Sequence, residues 1–310
     1  MGLQNQGNIT RGNFGQDTVV RGGILVTPST AQVFYVGPQQ TNDKGDLRSR
    51  SFATVDQALN ACIDDRGDIV RLRPGYTENI SATGWVNGKR GVRIEGMGTG
   101  TLRPTLTWNV AGSTLTGLKA NMTLDNLNLF LSPGAGTVTV TLGIDLAAAG
   151  IAITNCFIRM AFSATSLVAT GIRWSAGADD SKFVGNEVWG IIAGTPTNPL
   201  LVNAAINRLI VANNKCDVAV SSTTVGVLSF AAAALGCYIV NNSFDQLLAN
   251  STVALNGFAG VGGVAAFNSL GIQAAAGGAT ALTVPGNLKL IENYGAVPGK
   301  NGLLAGIAGA

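Results

Sequence analysis

Eight segments of this chain repeat one pattern at a nearly constant interval, and no other feature limits the fold as strongly. VRIEGMGT (92–99), MTLDNLNL (122–129), IAITNCFI (151–158), SKFVGNEV (181–188), LIVANNKC (209–216), CYIVNNSF (237–244), GVAAFNSL (263–270) and LKLIENYG (288–295) start 30, 29, 30, 28, 28, 26 and 25 residues apart. A period of this size marks a solenoid or array, whose units stack because none can bury its own apolar face. The third position is apolar in every unit (Ile94, Leu124, Ile153, Phe183, Val211, Ile239, Ala265, Leu290), so that column points inward. With Val92, Met122, Ile151, Ser181, Leu209, Cys237, Gly263 and Leu288 at the first position, it gives the period of two of a strand.

The sixth position holds asparagine in the last five units: Asn186, Asn214, Asn242, Asn268 and Asn293. Asparagine tolerates left-handed backbone angles at a turn. Stacked coil over coil, its amide can also donate to a carbonyl of the adjacent coil, forming a ladder. The column therefore reads as a structural spine. Segments between units, such as TVTVTLGI (137–144) and STTVGVLS (222–229), are rich in Thr, Val and Gly, which favour strands and turns over helices. The expected fold is all-β, a single-stranded right-handed parallel β-helix of about eight to nine coils, with the handedness taken from parallel crossover connections. At about 4.8 Å per coil the repeated part would be about 35 Å long.

Ahead of the first unit, SFATVDQALNACIDDRGD (51–68) spaces Phe52, Val55, Leu59, Cys62 and Ile63 as on one helix face. A helix over about 51–66, with Ser51 as N-cap and Gly67 as stop, would cover the open end of the prism. The following DIVRLRPG (68–75) reads as a strand of a first partial coil. Residues 1–34 are glycine-rich and aperiodic, which suits an arm held by a partner better than a core segment. The expected division is an arm at 1–34, a β-helix at 35–300 and a tail at 301–310.

Composition narrows the function classes. The chain has 42 glycines, 12% charged residues and no histidine. Residues 201–310 carry only seven charges (Arg208, Lys215, Asp217, Asp245, Lys289, Glu292, Lys300), too few to solvate that half well. Such a surface is expected to pack on other subunits, with a homotrimer the expected assembly. The net charge of +3, with scattered Lys and Arg, offers no nucleic-acid groove. Cys62, Cys156, Cys216 and Cys237 lack a C-x-x-C pattern and read as small core residues of a reducing compartment. No metal or other cofactor is expected. Met1 leads into a polar stretch without the pattern of a signal peptide, and Ser221, Ser222, Thr223 and Thr224 interrupt the uncharged span 218–240, so no membrane segment is expected.

YVGP (35–38), SFATVDQAL (51–59), GDIVRLRPGYTENI (67–80) and the later N-N-x-φ turns resemble the opening and coils of the pectate-lyase-like β-helix superfamily, over residues 35–295. The resemblance implies the β-helix fold and a bacteriophage virion or tailspike setting. It is silent on activity, since such folds serve lyases, hydrolases and proteins without catalysis.

No calcium-binding acid cluster of the lyase kind is present. The strongest chemical candidate is the ninth position, where Arg159, Trp189, Asp217 and Asp245 fall on four successive coils. Two carboxylates about 5 Å apart (Asp217, Asp245) beside an aromatic platform (Trp189) suit a retaining glycosidase, with Arg159 and Trp189 as binding residues. The competing expectation is a row of solvent-facing turn residues. A second same-column pair, Glu95 and Asp125, reads as coincidence. The expected function is a structural virion protein, a capsid decoration or cement protein attached through residues 1–34 to other virion proteins. The alternative is a tailspike-like protein that grips or cleaves a glycan along the Arg159 to Asp245 stripe.

Overall fold

The structure, a computed structural model, describes residues 19–21, 24–26, 31–38, 50–132, 139–163, 166–190, 196–220, 225–247, 254–256, 260–272, 282–283, 287–297 and 300–304. Most of the expected arm at 1–34 and of the tail at 301–310 lies outside these residues. Parallel strands stack into a β-solenoid with three faces.

The first face is an eleven-stranded sheet running from Val33–Val36 through Ile69–Leu72 and Arg93–Gly96 to Gly262–Ala266 and Asn287–Ile291. Its register follows the repeat residue for residue: Ile94, Leu124, Ile153, Phe183, Val211, Ile239, Ala265 and Leu290 pair in one continuous column. All but Leu290 of the last, open coil are buried.

A sixteen-stranded sheet supplies the other two faces. The second face climbs from Thr77–Ile80 through Phe157–Ser163, Glu187–Gly190, Lys215–Val218 and Ser243–Gln246 to Ser269–Ile272 and Asn293–Val297. The third climbs from Thr139–Leu146 and Ser166–Trp174 to Leu228–Phe230 and Leu282–Thr283.

The solenoid completes about seven turns, slightly fewer than the eight to nine expected. The helix lies between the first-face strands Val33–Val36 and Ile69–Leu72, which pair directly. Strand Lys300–Leu304 folds back antiparallel on Asn293–Val297 instead of starting another coil.

Two columns of left-handed residues flank most of the repeated first-face strands and turn the chain at their ends. One precedes the unit: Gly91, Asn121, Gly150, Asp180, Arg208 and Gly236 have φ between +56° and +70°. The other is the fifth position: Asn126, Asn155, Gly185, Asn213, Asn241, Phe267 and Glu292 have φ between +45° and +68°. The left-handed turn thus belongs to the residue before the ladder asparagine, and the expected positive φ at the sixth position is corrected. Glycine and asparagine dominate these columns because a Cβ disfavours that conformation.

The end helix is shorter than expected, Val55–Ala61, and Thr54 replaces Ser51 as its N-cap, its Oγ1 accepting from the Gln57 N–H at 3.3 Å. Ser51 and Phe52 form a short strand on the first face. Val55, Ala58, Leu59 and Cys62 pack on the core, whereas Ile63 lies past the helix and is exposed. The loop beyond is tied by Asp68, fully buried, which accepts from the Gln32 and Ile63 backbone N–H groups and from the Arg66 guanidinium. All four cysteines are free and buried, and burial pushes the Cys62 and Cys156 thiols up to about 12.

Candidate functional site

The fold lines up the ninth-position residues. Phe130, Arg159, Trp189, Asp217, Asp245 and Gly271 occupy one column on adjacent strands of the second face. The Arg159 guanidinium stacks 3.9 Å from the centroid of the Phe130 ring, away from the acids. Trp189 is 37% exposed, leaving part of the ring open beside Asp217.

Within the column the two carboxylates have different surroundings. Asp217 Oδ2 lies 3.1 Å from Lys215 Nζ, two residues earlier on the same strand face. Asp245 Oδ2 accepts from the Ser243 hydroxyl at 2.9 Å. Its other oxygen rests over Gly271, where an added Cβ would stand 1.9 Å away. Burial, and then the neighbouring Asp217 carboxylate, push the Asp245 carboxyl above the ordinary range, against the Ser243 hydrogen bond and the Lys215 charge. A pair with one acid and one base is the chemistry that proton transfer needs.

Lys215 and Ser243 were missed as partners in the sequence, although their spacing of two from Asp217 and Asp245 places them on the same strand face.

The ladder asparagines are sequestered from solvent, each at most 2% exposed. The Oδ1 of Asn214 accepts from the backbone N–H (2.9 Å) and amide (3.1 Å) of Asn186, while its Nδ2 donates to Phe183 O (2.8 Å) and Asn242 Oδ1 (2.9 Å). The same four-bond pattern repeats at Asn242, and the chain of amides runs from the Cys156 N–H to Asn293. Backbone and side chain are satisfied together, as buried polar groups require.

On the first face, Glu95 and Asp125 are also in register, and arginines account for the pair. Arg71 Nε lies 2.6 Å from Glu95, and Arg93 bridges Glu95 at 3.1 Å and Asp125 at 2.6 Å. Thr154 and Asn155 donate to Asp125 as well; against the opposing pull of burial, these bonds and Arg93 hold its carboxyl below the ordinary range. The pair belongs to an ion network and is not coincidental.

Further along, the outer surface of the same face turns apolar. Ile210, Tyr238 and Val264 form one outward column, and Ala212, Val240, Ala266 and Ile291 form the next. Tyr238 is 54% and Ile291 44% exposed, with exposed Leu235 and Phe267 at the flanks. A shallow groove of about 370 Å³ opens here, with Lys182, Tyr238 and the Asp180–Arg208 ion pair in its lining. Among the described residues no three Cys, Asp or Glu side chains converge as metal ligands, and no helix is long and apolar enough to cross a membrane.

Fold and register together define a parallel β-solenoid whose ordered polar groups mainly bind one coil to the next. No protein-family model matches the chain, and no curated protein matches it. Among solved structures, ORF18 of Geobacillus virus E2 is similar over 80% of this chain and 59% of its own length, at 9% identity and a TM-score of 0.26. This chain therefore spans less than two thirds of that protein. The fold assignment rests on the register of this chain's own strands.

Proposed function

We propose that this protein is a structural component of a bacteriophage virion, a capsid decoration or cement protein that assembles as a homotrimer of β-solenoids. The phage setting is what the resemblance of 35–295 implies. The single observation that carries the assembly is the apolar outer surface of the first face around Tyr238, Val240, Val264 and Ile291. Large apolar side chains gathered on an otherwise regular sheet surface are the mark of a contact between proteins. The paired Arg71–Glu95–Arg93–Asp125 network at the other end of that face is satisfied within the chain.

Light scattering on the full chain tests this: three copies of the 31.6 kDa chain are expected, and Tyr238→Glu should give single copies with unchanged circular dichroism. A wild-type chain that stays single at micromolar concentration would refute the assembly. Attachment is tested by removing residues 1–30, which should abolish binding to particles; retention of binding rules out the arm as the attachment.

A second function is favoured by the in-register Trp189, Asp217 and Asp245: the stripe contacts or cleaves a glycan, as in a tailspike-like protein. Asp217→Ala and Asp245→Ala separate the two, because unchanged glycan binding and turnover would remove the stripe from consideration.

A further inference from the structure

Along the asparagine ladder, donors and acceptors are matched coil by coil. One level of the second face lacks that match. Asp217 and Asp245 stand directly opposite each other on strands Lys215–Val218 and Ser243–Gln246, acceptor beside acceptor. Like charges directly opposite on neighbouring strands are destabilising.

Among the described residues, the ionisable groups around the pair can be named. Lys215 pairs with Asp217 at 3.1 Å, and Glu187 precedes Lys215 in its own column. Beneath them in the core lies the uncharged thiol of Cys216, held protonated by burial and by the two carboxylates. Strand Ser269–Ile272, on the other side of Asp245, carries no ionisable side chain and offers Gly271 under the carboxylate. Among the described residues, Asp245 therefore has one hydroxyl, from Ser243, and one neighbouring acid as polar company, with no cation paired to it.

We propose that Asp217 and Asp245 share one proton, carried by Asp245, and that this proton is a pH-sensitive latch between two coils of the second face. With the proton in place, Asp245 donates to Asp217 and the row regains the donor-to-acceptor match of the ladder. Without it, two carboxylates repel across one coil spacing, and Lys215 offsets only one of them. Burial and Asp217 raise the Asp245 carboxyl above its reference value of 3.8, in agreement with that geometry. The folded state then binds the proton more tightly than the unfolded state. The stability due to the proton is full below about 3.8 and is lost as pH rises through the folded value. The latch stands independently of trimer assembly and of any glycan.

Thermal unfolding of the full chain between about pH 4 and about pH 8 tests it. As pH rises, the melting temperature of Asp245→Asn should gain on that of the wild type, by about 2 °C for each tenfold difference in proton affinity between folded and unfolded states. Asp217→Asn, which keeps an acceptor for the Asp245 proton without the repelling charge, should show a smaller gain in the same direction, because burial still raises the Asp245 carboxyl. Asp145→Asn, which removes a carboxylate paired with Arg173 at 2.8 Å, should not. A variant at Asp245 that keeps the wild-type pH slope would overturn the proposal. So would a wild-type slope abolished by millimolar calcium chloride, since the pair would then be holding a metal cation.

Discussion

Asn213 and Asn214 are adjacent, chemically identical and placed in opposite roles. Asn214 is 2% exposed, and its side chain makes four hydrogen bonds, to the Asn186 N–H and amide, to Phe183 O and to Asn242 Oδ1. Asn214→Ala takes a partner from four buried groups at once. At about 1 kcal/mol for each, the loss is about 4 kcal/mol, a large part of the stability of an ordinary domain. Asn213 is exposed, with φ of +55°, and what it contributes is tolerance of that angle. Asn213→Ala should therefore cost only about 1 kcal/mol. Equilibrium urea unfolding followed by far-ultraviolet circular dichroism measures both. Because solenoid coils can unfold separately, the comparison also requires equal denaturant slopes. Equal losses for the two alanine variants, within about 0.5 kcal/mol, would refute the assignment of the sixth position as spine and the fifth as turn.

Phe267 holds φ of +56° with its ring 51% exposed, so Phe267→Gly should stabilise the isolated chain by about 1 kcal/mol in urea unfolding. Asp68 is fully buried and accepts four donors, and those bonds hold its carboxyl low against the opposing pull of burial. Its stability is present above the unfolded value of 3.8 and is lost as pH falls through the lower folded value, so wild type should weaken in acid while Asp68→Asn, already destabilised by about 3 kcal/mol at neutral pH, should weaken less. A Cβ at Gly117 would stand 1.3 Å from the Trp85 carbonyl oxygen, a backbone atom that cannot swing away. Gly117→Ala should cost about 3 kcal/mol or prevent accumulation of folded protein, read by soluble yield and melting temperature.

The coil repeat and its register were fully legible in the amino-acid order. An apolar third position that recurs at a near-constant interval can be buried continuously only if the units stack in phase, and Ile94 through Leu290 do pair in that phase. The ladder was legible too, because five buried amides at one position have each other as the nearest complementary partners. Which residue takes the left-handed angle was not, since Asn213–Asn214 and Asn241–Asn242 present the same side chain at both positions. Only the closed backbone distinguishes the residue that turns from the residue that points inward. Helix length escaped for a similar reason: the spacing of Phe52 and Ile63 fits a helix face, but pairing of Ser51–Phe52 with Tyr35–Val36 competes successfully for the first residues.

Sequence alone also placed Arg159, Trp189, Asp217 and Asp245 in one stripe, because a position in the repeat fixes a position on a face. Tertiary structure decided what each does there. Arg159 turns to the Phe130 ring, Lys215 takes Asp217, and Asp245 is left over Gly271 with Ser243 and its neighbouring acid. Periodicity specifies which strands are neighbours. Burial and the direction of each side chain, which set the charge state of an acid, arise only when the coils close around a common core.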